Sequence, residues 1–146
     1  MDAGSSDACG IATMTLDNTT FDCSNIGSNS VVLTVTDNNG NSSTCSASVT
    51  VEDNVAPTAI CQDIIVVLDA TGNASITASD IDNGTFDNCE LVSLVLDITD
   101  FSCDDLGANT VTLTATDASG NITTRTFTIT VVDFQAPVIS GCPSNI

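Results

Sequence analysis

The sequence predicts an all-β protein of antiparallel sandwich type, and three observations carry the prediction: a tandem repeat, a period of two inside each repeat, and regularly spaced Asp/Asn/Gly turns. The repeat is read first because it sets the domain count. Gly4-Ser5-Ser6-Asp7-Ala8-Cys9 recurs as Gly84-Thr85-Phe86-Asp87-Asn88-Cys89, and Phe21-Asp22-Cys23 as Phe101-Ser102-Cys103. Leu33-Thr34-Val35-Thr36-Asp37 returns as Leu113-Thr114-Ala115-Thr116-Asp117, Gly40-Asn41 as Gly120-Asn121, and Ala56-Pro57 as Ala136-Pro137. The offset is 80 residues at every match. Residues 56–135 are therefore expected to form one whole repeat. Residues 1–55 are expected to be the back part of an earlier one lacking its first strands, and residues 136–146 the first strand of a following one.

Inside the repeats, Val111, Leu113 and Ala115 alternate with Thr112, Thr114 and Thr116, and Phe127, Ile129 and Val131 alternate with Thr126, Thr128 and Thr130. Ala47, Val49 and Val51 do the same against Ser46, Ser48 and Thr50. Successive side chains of a strand face opposite ways, so this pattern belongs to sheets with one buried and one solvated face. Five Phe and no Trp or Tyr imply a thin aliphatic core, and small sandwiches of that kind gain from covalent staples.

The charge balance excludes several functions. Nineteen acidic residues face a single base, Arg125, for a net charge of −18. Such a chain repels nucleic acid and anionic lipid and attracts cations. With no His and no Lys there is no imidazole base, Schiff base or P-loop lysine, and an enzyme is not expected. A glycosidase carboxylate pair would need a cleft and aromatic sugar platforms, which a chain without Trp or Tyr does not offer. No apolar run reaches the roughly 18 residues of a membrane span. Five N-x-S/T triplets, at Asn18, Asn41, Asn73, Asn83 and Asn121, are what chance gives in so Asn- and Thr-rich a chain.

Seven cysteines without a C-x-x-C pair indicate structural disulfides in an oxidising, extracellular compartment. Cys9 and Cys23 share the spacing of Cys89 and Cys103, so each pair is expected to close an intradomain loop worth about 3 kcal/mol. Cys45, Cys61 and Cys142 remain. Cys45 either awaits Cys142 from another copy of the chain or bridges to Cys61 across the linker.

The motif D-x-x-G-N occurs at Asp37–Asn41, Asp69–Asn73 and Asp117–Asn121. Its plain reading is an Asp-capped hairpin turn with Gly in the left-handed position. A second reading comes from topology. A strand from about Ser43 to Asp53 runs about 30 Å, which separates the Asp37–Asn41 turn from the linker Glu52-Asp53-Asn54. In a sandwich that linker would meet Asp80, Asp82, Asp87, Asp117 and Asn121 of the next repeat, with Asp7, Asp37 and Asn41 as the equivalent set one repeat earlier. Calcium takes six to eight such oxygens, so Ca2+ is the expected cofactor, bracing the repeat junction. The alternative is a solvated acidic surface.

At these residues the chain resembles a known family. Thr116-Asp117-Ala118-Ser119-Gly120-Asn121 with Phe127-Thr128-Ile129-Thr130-Val131-Val132-Asp133 looks like the end of a hyalin (HYR) repeat, and Ala136-Pro137-Val138-Ile139-Ser140-Gly141-Cys142-Pro143 like the start of the next. Thr44-Cys45 and Val49-Thr50-Val51-Glu52-Asp53-Asn54 are similar to HYR-like repeats of long bacterial surface proteins. The resemblance implies tandem immunoglobulin-like sandwiches at the cell surface, associated with adhesion and extracellular architecture, with no catalytic residues. Asp133, at the end of the first of these motifs, is a further candidate ligand. The resemblance also implies a bridge from the first-strand cysteine to one on the last strand. Arg125 stands where the partner of Cys61 belongs.

The expected function is a structural extracellular segment, a calcium-braced stalk or a head-to-tail filament in which the strand after Ala136 completes the first repeat of a neighbouring molecule. The alternative is an adhesin module that binds glycan or protein through its loops. Such a module would show exposed aromatics or a loop unlike its counterpart. Only Phe86 and Phe134 depart from their counterparts, Ser6 and Asn54, and both fall near the expected junction, where packing between repeats is their expected use.

Overall fold

The computed structural model describes residues 2–141. They divide into two compact units, Met1–Asn54 and Val55–Ile146.

The first unit is one antiparallel sheet in the order β1-β2-β3. Its strands are β1 (Ile11–Leu16), β2 (Gly27–Asp37) and β3 (Ser42–Val51), and a 3-10 turn at Cys23–Asn25 leads into β2. The turn starts where Asp22 accepts a hydrogen bond from the Ser24 amide at 2.9 Å, while Asn25 reaches back to the Asp22 amide at 3.0 Å. These reciprocal bonds satisfy amides that a short helical turn would otherwise leave open. Val31 and Leu33 are the buried apolar residues of this unit, and Met14, Leu16 and Ile26 stay exposed.

The second unit is a two-layer sandwich. Its larger sheet runs β4-β9-β8-β6 and its smaller sheet pairs β5 with β7. The strands are β4 (Ile64–Val67), β5 (Asn73–Ser75), β6 (Leu91–Leu96), β7 (Asp100–Ser102), β8 (Gly107–Asp117) and β9 (Ile122–Val132), with one helical turn, α1, at Ala78–Ile81. Strands β6, β8 and β9 are antiparallel neighbours, like strands C, F and G of an immunoglobulin sandwich, and β4 joins β9 in parallel. The fold is thus all-β and immunoglobulin-like.

The alternation along β8 and β9 is realised in packing. Val111, Leu113, Ala115, Phe127, Ile129 and Val131 are all buried, and Leu68, Ile76, Ile81 and Phe101 cover them. Elements recur at the repeat offset. β1 and β6, β2 and β8, β3 and β9, and the turns at Cys23 and Cys103 stand 80 residues apart. Even the bulge recurs, between Ile11 and Thr13 and again between Leu91 and Ser93.

Residues 136–141 form no strand, and Val138 and Ile139 are 92% and 79% exposed. Cys142, and with it the expected bridge to Cys45, lies outside the described residues.

Candidate metal centre and cysteine positions

All three D-x-x-G-N segments fold as Asp-centred turns. Asp37 Oδ1 accepts from the amides of Asn39 and Asn41 at 2.8 Å each, and its Oδ2 accepts from Asn41 Nδ2 at 2.8 Å. Asp117 repeats the pattern with Ser119 and Asn121, at 2.9, 2.8 and 2.8 Å. Asp69 accepts from Thr71 and Asn73. The hairpin reading of the motif is therefore what these carboxylates do first. The glycine answers a real need, since Gly40 and Gly120 sit at φ +90° and +88°.

One copy differs. Asp117 is 3% exposed, the one buried charged or polar residue among the described residues, while Asp37 is half-buried. Burial pushes the Asp117 pKa up, but the hydrogen bonds from Asn121 and Ser119 outweigh it and hold the carboxyl below its usual value. Asp117 is thus a buried anion. Asp87 faces it, and each carboxylate places an oxygen within 4.8 Å of the other. Asp87 Oδ2 accepts from the Cys89 amide at 2.8 Å, whereas its Oδ1 is buried with no hydrogen-bond partner. An unpaired buried carboxylate oxygen beside a second carboxylate is costly unless a cation sits against both. Asn121 Nδ2 also reaches the Val55 carbonyl, at 3.5 Å, which brings a backbone oxygen to the same end of the unit. Calcium accepts this donor chemistry, so the residues fit the ion.

The other expected ligands also accept hydrogen bonds within their own turns. Asp80 caps α1, accepting from the Thr77 amide at 2.7 Å, and Asp82 accepts from the Thr85 amide at 2.9 Å. Residues 82–86 then run antiparallel to residues 58–61, through bridges from Cys61 to Asp82 and from Thr58 to Phe86. Asp82 and Asp87 thus stand at the two ends of a stretch of extended chain, at about 3.3 Å per residue. Asp133 caps a turn by accepting from the Gln135 amide at 2.8 Å. In the first unit Asp7 accepts from the Cys9 amide at 2.7 Å, matching Asp87, and it lines a cleft with Asp37 and Asn41. Glu52 and Asp53 directly follow β3 at the end of that unit.

The intradomain disulfides expected from spacing are not formed. Cys9, Cys45, Cys61 and Cys103 are free, while Cys23 and Cys89 are disulfide-bonded. The reason is strand length. Asn38, just past the end of β2, donates through Nδ2 to the Cys9 carbonyl at 2.8 Å, whereas Cys23 opens the turn before β2 begins. β2 is 11 residues long, about 33 Å, and a disulfide requires Cα atoms about 4.4–6.8 Å apart. Cys89 and Cys103 are separated in the same way by β8, with Ala118 bonded to the Glu90 carbonyl at one end and Cys103 preceding Gly107 at the other.

Cys61 is half-buried, and burial raises its thiol pKa. Arg125 donates to the Ala59 carbonyl at 3.1 Å, and its charge opposes that rise. Sequence reasoning missed Gly72. A Cβ there would come within 2.7 Å of Cys103 Sγ, so glycine lets the chain pass beside that thiol. The only signal for it was the turn glycine of Asp69–Asn73.

No family model matches the chain, and no curated protein matches it. Among solved structures it is similar to one described as a protocadherin gammaB7 EC3-6 cis-dimer structure, with a TM-score of 0.42 and 16% identity. The match covers 87% of this chain and 41% of that one, so the chain spans less than half of its length. Among the described residues no helix is long and apolar enough to cross a membrane.

Proposed function

We propose that the chain is a non-catalytic structural segment of an extracellular or cell-surface protein, of HYR-like type, whose repeats are held in line by calcium. The observation that carries the reading is the orphaned Asp87 Oδ1 within 4.8 Å of the buried Asp117 carboxylate, in a chain with one base. Asp87 and Asp117 would hold the ion, and the Val55 carbonyl is a further oxygen at the same end of the unit. The nearest additional carboxylates along the chain are Asp53 and Glu52, two and three residues before Val55. In the first unit, Asp7 and Asp37 would form the equivalent site. The bound ion supplies charge neutralisation, which the chain's own residues do not.

The same reading includes head-to-tail assembly. The cleft of the first unit, about 290 Å³, is lined by Ile11, Val35 and Cys45 besides its acids. Their counterparts in the second unit are Leu91, Ala115 and Arg125, and there Ala59 and Cys61 pack against the core, with Arg125 on the Ala59 carbonyl. Residues 136–141 carry the same Ala-Pro opening, with Val138 and Ile139 exposed, and would fill the cleft in a second copy.

The test is thermal unfolding under non-reducing conditions in millimolar calcium and then in excess EGTA, with negative-stain imaging alongside. Loss of stability on chelation, with straight particles turning flexible or dispersing, is the expected result. Unchanged melting and shape would overturn the calcium brace.

A further inference from the structure

Each repeat carries one cysteine at each end of its long central strand. Cys9 and Cys89 lie at the end where the Asp-centred turn follows β2 or β8, and Cys23 and Cys103 lie at the opposite end. Internal equivalence makes the two units controls for one another. Cys89 is bonded and its equivalent Cys9 is free; Cys23 is bonded and its equivalent Cys103 is free. Both positions therefore accommodate a disulfide in this fold, and one of each kind is left unused and exposed. Cys103 is held at its end of the unit by contact with Gly72, whose carbonyl lies 3.7 Å from Sγ.

We propose that Cys103 of one molecule forms a disulfide with Cys9 of a second copy, so that successive molecules are stapled head to tail. This rests on the head-to-tail reading above and gives that assembly a covalent joint. Pairing unlike ends is a heterologous contact, which extends into an open chain, whereas like-with-like pairing would stop at a dimer.

The bond forms by exchange with a low-molecular-weight disulfide such as oxidised glutathione. The Cys103 thiolate attacks a glutathione sulfur, giving a mixed disulfide and releasing one glutathione thiolate. The Cys9 thiolate of the second copy then attacks the Cys103 sulfur and expels the other glutathione. Two protein thiols lose two electrons and two protons, and one glutathione disulfide becomes two thiols. Exposure of both cysteines gives the access such attack needs.

The test uses the full chain in a glutathione redox buffer, read by non-reducing gel and by mapping of crosslinked peptides. Wild-type protein is expected to give a ladder in steps of 14.8 kDa that collapses on reduction, with a peptide joining Cys103 to Cys9. Cys103→Ser and Cys9→Ser are each expected to remain monomeric, and a mixture of the two variants to give a heterodimer and nothing larger. A wild-type protein that stays monomeric, a ladder that survives Cys103→Ser, or a ladder that yields no peptide joining Cys103 to Cys9 would overturn the proposal. Running the gel in calcium and in EGTA separates the two readings. A ladder with melting indifferent to calcium leaves the staple standing without the calcium brace, and calcium-dependent melting without a ladder does the reverse.

Discussion

Replacing Asp87 by Asn tests the metal centre through a change of sign. The carboxylate Oδ2 that accepts from the Cys89 amide is retained as the Asn carbonyl oxygen. The atom replaced is Oδ1, which has no hydrogen-bond partner and faces Asp117. An amide NH2 there donates to the Asp117 carboxylate instead of repelling it, so without metal Asp87→Asn is expected to melt at or above wild type. With metal the order reverses. Extracellular calcium modules bind with Kd near 1 mM or about tenfold tighter. At calcium about tenfold above Kd, linkage stabilises the folded state by about 1.4 kcal/mol. For a domain of this size that raises Tm by roughly 6–11 °C. Loss of one charged ligand should remove most of that rise in the variant. The assay is a calcium titration of Tm by calorimetry for both proteins, with EGTA as the zero point. A variant that melts lower than wild type by the same margin in EGTA and in calcium would show that Asp87 serves only its turn, and the reasoning would fail.

Three further outcomes follow from the packing. Leu113→Ala removes a side chain with no exposed surface in the second unit and should cost about 3–4 kcal/mol, read as a drop in the urea midpoint at unchanged m-value; a cost under about 1 kcal/mol would contradict the core assignment. Arg125→Cys places a thiol beside Cys61, and the bridge they form should stabilise the oxidised protein by about 4 kcal/mol for a loop of that length; two titratable thiols persisting after oxidation would refute that proximity. In EGTA, stability should fall as pH drops below about 4, the ordinary carboxylate range. Asp22, Asp37, Asp69, Asp80, Asp82 and Asp97 are held below that range mainly by hydrogen bonds from their own turns or, for Asp97, from the Thr112 amide. The unfolded chain protonates first, so their contribution is present above the unfolded pKa and lost as pH falls through the folded values. A Tm that rises steadily from pH 5 to pH 3 would mean that relief of the net charge dominates.

The sequence by itself determined the local order of this protein. Period-two alternation named the inward residues of β8 and β9, because a strand has only two faces and the core takes one. The D-x-x-G-N turns were legible because their hydrogen bonds close within five residues. Tertiary structure decided what depends on distance across the fold. Spacing alone made Cys9–Cys23 and Cys89–Cys103 look like short closed loops. The chain between them leaves one end of an 11-residue strand and returns at the other, and only the sheet reveals that separation. The same holds for the acids. Asp82 and Asp87 are close in sequence but lie along an extended segment, whereas Asp87 and Asp117, 30 residues apart, meet because β6 pairs with β8 in antiparallel register. Chemistry within a turn is written locally, while the meeting of two charges is set by which strands pair.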